Sequence, residues 1–275
     1  MTGSSSKLLV SVRSETEFND AFAAAVDIID LKEPLEGPLA PAPADLWVQA
    51  AERLKSPKKS SPLLSAALGE SDAASRVACR LPPEFDFAKA GPSGCNSAQK
   101  LENLWMRVRT ELNDAISLVA VAYADHAAAG CLPPTQVFEL AADSGIKFCL
   151  IDTFCKNGRS TIDHIGITGL RDLQKTVNQF GLWWALAGSL TDNSVTTMHK
   201  QGLQPNCFGV RGDVCVGDRT GRLATNRIEA WKSKISVTWP NQDLSNSSDA
   251  LRSCQSNHPP KTSLTSGAAL SRHDD

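Results

Sequence analysis

Residues Ile146–Thr153 read I-K-F-C-L-I-D-T, an apolar run that closes on an aspartate and a threonine. A strand with one wet face alternates apolar and polar residues. A run that is apolar nearly throughout fits a strand covered by helices on one side and by core side chains on the other. Seven more runs of this kind lie around it: Lys7–Arg13, Val26–Lys32, Leu63–Leu68, Phe85–Gly91, Ile116–Asp125, Gly181–Leu190 and Cys207–Gly212. They recur at intervals of roughly 20 to 35 residues, each followed by a stretch with helical spacing, which is the signature of parallel βαβ units. Helix starts are marked between them, by Ser14 with Glu17 as a capping box, by Asp45 before Leu46–Leu54, and by Pro133 and Pro134 before Gln136–Ala142. Eight such units predict a closed single-domain α/β fold, the (β/α)₈ or TIM barrel, and the chain's 275 residues suit it.

The barrel is expected over 7–238, after a flexible N-terminus at 1–6. After Trp239 the sequence turns to Pro, Asn, Ser, Asp and His, which predicts a disordered tail over 239–275 without a catalytic role. Ser56–Pro62, S-P-K-K-S-S-P, reads as a solvated loop. With 41% hydrophobic and 21% charged residues and a net charge of -2, the chain has neither the basic surface of a nucleic-acid binder nor that of a protein drawn to acidic membranes. The longest apolar stretch, Ile116–Ala124, is too short to cross a bilayer, and Met1–Ser6 carries no charged-then-apolar signal. The expectation is a cytoplasmic protein acting on a small molecule and compatible with a homo-oligomer. Eight cysteines are scattered without a C-x-x-C pair, so neither a metal site nor a disulfide framework is expected.

In such a barrel the reacting groups sit at the carboxyl ends of the strands. The second run ends Asp30-Leu31-Lys32, the fourth Lys89-Ala90-Gly91, the fifth Asp125, and the sixth Asp152-Thr153 with Lys156 one turn beyond. Lys32, Lys89, Asp152 and Lys156, from three alternate strands, are therefore expected to share one cavity with Asp30 and Asp125. Ammonium groups crowded in a partly dry pocket repel one another and are poorly hydrated, so one of them loses its proton well below the ordinary lysine value. A neutral amine attacks carbonyls, and carboxylates beside it hold the other ammonium ions and carry protons. His126 and His164 are read as polar residues of the rim or helix surface, and Trp183 and Trp184 as packing of the barrel wall.

The seventh and eighth runs end differently, in Ala187-Gly188-Ser189-Leu190 and Val210-Arg211-Gly212. Glycines let backbone approach a ligand, free N–H groups bind anions, and arginine offers a fork for phosphate oxygens. Gly188, Ser189, Arg211 and Gly212 are accordingly expected to bind phosphate, with Asp218-Arg219-Thr220-Gly221-Arg222 as a second basic contact.

These segments resemble the (5-formylfuran-3-yl)methyl phosphate synthase family of methanofuran biosynthesis, from the first strand to about Ile235. The resemblance is carried by Leu8–Val12 (LLVSV), Asp27–Pro34 (DIIDLKEP) with Glu36-Gly37, and Phe87–Gly91 (FAKAG). It continues in Asp152–Lys156 (DTFCK) with Gly158, Leu186–Leu190 (LAGSL), and Gly209–Cys215 (GVRGDVC) with Asp218-Arg219 and Gly221-Arg222. It implies a (β/α)₈ lyase that joins two molecules of glyceraldehyde 3-phosphate, loses phosphate and water, and closes a furan ring without metal or organic cofactor. It further implies Lys32 as the Schiff-base lysine, Lys89 as proton acceptor, and Asp152 and Lys156 as proton-transfer groups. The chain departs from the family pattern at Asp213, an anion beside the expected phosphate loop, and in longer segments at Ser56–Pro62 and Asn96–Leu112. On the residues alone, a class I aldolase, a sugar-phosphate isomerase or an inactive sugar-phosphate binder fits the same lysines and phosphate loop.

Overall fold

The computed structural model describes residues 5–55 and 61–236. The tail, most of the Ser56–Pro62 loop and the first four residues lie outside them. Eight parallel strands close on themselves: β1 (Lys7–Val12), β2 (Ile28–Leu31), β3 (Leu63–Glu70), β4 (Phe87–Gly91), β5 (Ser117–Tyr123), β6 (Phe148–Asp152), β7 (Trp183–Leu186) and β8 (Cys207–Val210). Each pairs with the next, and β8 pairs with β1, Lys7 opposite Cys207 and Val10 opposite Val210. The fold is thus the (β/α)₈ barrel that the apolar runs predict.

The helices are α1 (Glu15–Ala23), α2 (Ala44–Leu54), α3 (Ser71–Ala78), α4 (Ala98–Glu111), α5 (His126–Ala129), α6 (Pro134–Asp143), α7 (Thr161–Phe180), α8 (Asp192–Lys200) and α9 (Thr225–Ile235). The Asn96–Leu112 segment is therefore α4, whose Leu101, Leu104, Trp105 and Val108 are buried along one stripe. Pro134 opens α6, where the missing N–H costs nothing. The expected capping box at α1 is only half made. Ser14 accepts from the Glu17 N–H, but the Glu17 carboxylate accepts from Arg13 N–H and turns inward to Arg211.

Because side chains alternate along a strand, each strand feeds two cores. One face packs against the helices, with Val10, Ile29, Ala88, Ile151 and Trp184. The other fills the barrel with Leu9, Ile28, Phe87, Val119, Phe148, Trp183 and Cys207. Trp183 and Trp184 thus pack opposite faces of β7. Phe87, Phe148 and Trp183, each at the start of its strand, form an aromatic floor with ring centroids 5.0 to 6.4 Å apart. Two or four residues further on, the same inward faces carry Lys89 on β4, Asp152 on β6, and Asp30 and Lys32 on and just after β2. An apolar plug below and charged groups above follow from the strand period alone.

Of the cysteines among the described residues, only Cys79 is exposed. Burial pushes Cys149 and Cys207 far above the ordinary thiol value and Cys131 to about 11, so these thiols act as small apolar fillers. Among the described residues no helix is long and apolar enough to cross a membrane.

Candidate functional site

The barrel mouth opens into a cavity of about 370 Å³ lined by Asp30, Lys32, Lys89, Asp152 and Lys156 together with Gly188–Thr191, Arg211–Asp213 and Gly217–Arg219. This lies within the size range of small-molecule sites. The three lysines and Asp152 converge as their strand positions predict.

Lys32 is 8% exposed, and its Nζ lies 3.9 Å from Asp152. Burial lowers its pKa to about 8; Asp152 and Asp30 oppose that shift, and the ammonium groups of Lys156 and Lys89 reinforce it. A lysine at about 8 is neutral about one tenth of the time at pH 7, about 300-fold more than an ordinary lysine. Lys89, 3% exposed, is hydrogen-bonded to Asp30 Oδ1, whose other oxygen accepts from Ser11 Oγ at 3.0 Å. Lys156 Nζ donates to Asp152 Oδ1 at 2.8 Å, to Thr153 O at 2.6 Å and to Thr153 Oγ1 at 3.1 Å. Burial alone would raise the Asp152 pKa. The charges of Lys156 and Lys32, with hydrogen bonds from Lys156 and the Thr153 N–H, outweigh it and hold Asp152 ionised below the ordinary carboxyl value.

Across the mouth, Gly188 takes φ 89° and Ser189 φ 50°. Any side chain at Gly188 would overlap Thr161 Oγ1 and Thr153, so glycine is required there both for the left-handed backbone and for the close approach. Thr161 at the start of α7 fixes this turn, donating Oγ1–H to Ala187 O at 2.6 Å and N–H to Gly188 O at 3.0 Å. Gly188, Ser189 and Gly212 all border the cavity.

Two expected ligands have other occupations. Arg211 borders the cavity, but four of its five N–H groups are taken: Nη1 and Nη2 grip Glu17 at 2.8 and 3.2 Å, Nη1 also reaches Ser11 O at 2.9 Å, and Nε reaches Arg219 O at 2.6 Å. It closes the barrel between β8 and β1 and is not a free fork for phosphate. Removing one partner of a buried ion pair strands the other charge. Arg211→Ala is therefore expected to cost about 3–5 kcal/mol of stability, measured by denaturant unfolding.

Asp125 is the second correction. β5 ends at Tyr123, and Asp125 lies in the turn leading into α5, outside the cavity lining. Its carboxylate accepts from the N–H groups of Phe154 and Cys155 at 2.7 and 2.8 Å. It holds the turn that carries Lys156, and those hydrogen bonds keep it below the ordinary value despite partial burial. Asp213 borders the cavity beside the expected phosphate loop; its Oδ2 accepts from Trp231 Nε1 at 2.7 Å and from Asp192 N–H, just past that loop, at 3.1 Å. Neither His126 nor His164 borders the cavity.

Arg219, from the expected second basic contact, borders the cavity as a half-buried guanidinium. Burial lowers its pKa, and Asp152 is the charge that most opposes the shift. The sequence reading passed over Glu70 and Tyr123. Glu70, the last residue of β3, accepts from Tyr123 Oη–H and from Ser93 N–H at 3.1 Å. Burial raises the pKa of both, and the Asp152 charge adds to each rise. Glu70 obeys the same strand-end rule that identified Asp152, and applying it to β3 would have found it.

Comparison with known proteins places this chain in a lineage. Residues 8–232 match the family described as 4-HFC-P synthase. The chain is 31% identical over 226 residues to a (5-formylfuran-3-yl)methyl phosphate synthase of Archaeoglobus fulgidus, covering 79% of this chain and 94% of that protein. A protein of the same name from Methanobrevibacter smithii is 32% identical over 231 residues, covering 78% and 93%. Among solved structures, KGPDC from Streptococcus mutans superposes with a TM-score of 0.55 at 14% identity, covering 86% of this chain and 100% of that one. Phosphoribosyl anthranilate isomerase from Thermus thermophilus does so at 0.54 and 13%, covering 84% and 98%. At such identities the structures share the barrel alone. The match over the whole barrel, with identity of 31% to a relative covered almost end to end, means that this chain belongs to the 4-HFC-P synthase family.

Proposed function

We propose that the protein is a lyase that condenses two molecules of glyceraldehyde 3-phosphate into (5-formylfuran-3-yl)methyl phosphate, with loss of phosphate and water, in the formation of a methanofuran-type one-carbon carrier. The observation that carries the reading is Lys32, a buried amine with a pKa lowered to about 8 that faces the cavity beside two further lysines and Asp152. The names of the relatives supply the product.

In this reading the neutral Lys32 amine adds to the carbonyl of one triose phosphate, and the resulting carbinolamine takes up a proton and loses water to give a protonated imine. Loss of a proton from the adjacent carbon gives an enamine, which attacks the aldehyde of the second triose. Lys89, held by its hydrogen bond to Asp30, serves as the acceptor of the carbon-bound proton. Asp152 and Lys156 return protons to oxygens that leave as water or phosphate. The loop at Gly188 and Ser189, with Gly212 and the Arg219 guanidinium, receives phosphate oxygens. No metal or organic cofactor takes part, the substrate is the only small molecule required, and the cytoplasm is where triose phosphates are met.

Incubation with glyceraldehyde 3-phosphate alone tests the reading. A furan aldehyde absorbs strongly in the near ultraviolet and forms together with free phosphate, whereas an aldolase or isomerase product does neither. Borohydride added with substrate is expected to leave a mass adduct on Lys32. The trapping rate should rise about tenfold per pH unit below the lysine pKa of about 8 and level off above it, because only the unprotonated amine attacks. A trapping rate independent of pH between 6 and 8 would count against Lys32 as the nucleophile.

A further inference from the structure

Glu70 is a partly buried acid placed at evident cost. The residue before it, Gly69, has φ 99°, and the residue after it, Ser71, holds φ 44°, a left-handed conformation that a non-glycine residue rarely adopts. The register of β3 against β4 shifts between Ala67 and Glu70, as at a bulge that re-aims a side chain. The carboxylate lies over Gly91, where any side chain would overlap it. Its hydrogen-bond donors are a tyrosine hydroxyl and a backbone N–H, and no cation pairs with it among the described residues. Strained backbone, a bulge and a vacated Cβ position that converge on one unpaired carboxyl do little for stability and point to a function.

The carboxyl fixes Tyr123, and Tyr123 supports a turn. The Tyr123 ring packs on Phe154, with centroids 5.4 Å apart at 60°. Phe154 lies in the turn between Asp152 and Lys156, whose Phe154 and Cys155 N–H groups are held from the other side by Asp125. Lys156 takes its acceptors from within that turn, at Asp152 and Thr153. The placement of the Lys156 ammonium therefore follows the turn, and the turn rests on Tyr123. We infer that Glu70 and Tyr123 are positioning residues that hold the Asp152–Lys156 turn, so that Lys156 acts after the substrate has joined Lys32. The inference rests on the Schiff-base reading and extends it to two residues outside the cavity lining.

The test uses the full chain and three variants: Tyr123→Phe, which keeps the ring on Phe154; Glu70→Gln; and the pair together, which removes the hydrogen bond from both ends. With glyceraldehyde 3-phosphate, kcat should fall about tenfold or more in each folded variant, because small misplacements of catalytic groups are costly. KM should stay within about twofold, and borohydride should still trap Lys32 at the wild-type yield. An unchanged kcat in any folded variant overturns the inference, as does loss of the Lys32 adduct in parallel with kcat, the mark of a general distortion. If the wild-type protein turns over without a Lys32 adduct, the Schiff-base reading fails instead, and the split between kcat and KM still decides the role of Glu70 and Tyr123.

Discussion

Replacing Lys32 with arginine is expected to lower turnover of glyceraldehyde 3-phosphate by more than about 10⁴-fold, the scale seen when a covalent nucleophile is removed. Arginine retains the positive charge opposite Asp152 and Asp30, so the electrostatic balance of the mouth is largely kept, but a guanidinium does not lose its proton and forms no imine. The wild-type lysine is suited to the role because burial has already lowered its pKa to about 8, against the pull of two carboxylates. The variant should fold, since Lys32 lies just past the end of β2 and not in the aromatic floor. Circular dichroism and thermal unfolding verify the fold, while mass analysis after borohydride shows no adduct. Residual turnover within about tenfold of wild type would mean that another amine, Lys89 or Lys156, carries the imine.

The barrel was legible because every strand is buried on both faces, so each leaves an apolar run whatever its partner. Asp30, Lys32, Lys89, Asp152 and Lys156 were legible for a related reason. The strand period fixes which face a residue occupies, and the closure of the barrel brings β2, β4 and β6 to one mouth. What failed to show were pairings between residues distant in the chain. Arg211 reads as a phosphate fork from its local context, and nothing near it announces that Glu17, 194 residues earlier, will occupy it. Closure of β8 against β1 creates that pair. Asp125 was misread by two residues: β5 stops at Tyr123, so the position no longer obeys the strand rule and belongs to the turn before α5. Glu70 was hidden because the apolar run reads Leu63–Leu68 and stops two residues short of the end of β3, where the strand-end rule would have applied.

The role of Asp152 leads to a second large effect, in which two readouts should move in opposite directions. Asp152 lies 2.8 Å from Lys156 and 3.9 Å from Lys32, and its charge raises the pKa of Lys32. Asparagine has nearly the same shape and keeps an acceptor for Lys156 or for the Thr153 N–H, but carries no charge. Removing the anion takes away the largest influence that holds Lys32 protonated, so the Lys32 pKa falls below about 8 and borohydride trapping begins at lower pH. Turnover nevertheless falls, by about 10²–10⁴-fold, because the later eliminations lose the carboxylate that takes and returns protons. An enzyme that forms its imine more readily and finishes the reaction far more slowly separates the two duties of the site. If trapping and turnover decline together at every pH, Asp152 instead serves to place Lys32, and proton transfer must be assigned to Lys156 or to the Lys89–Asp30 pair.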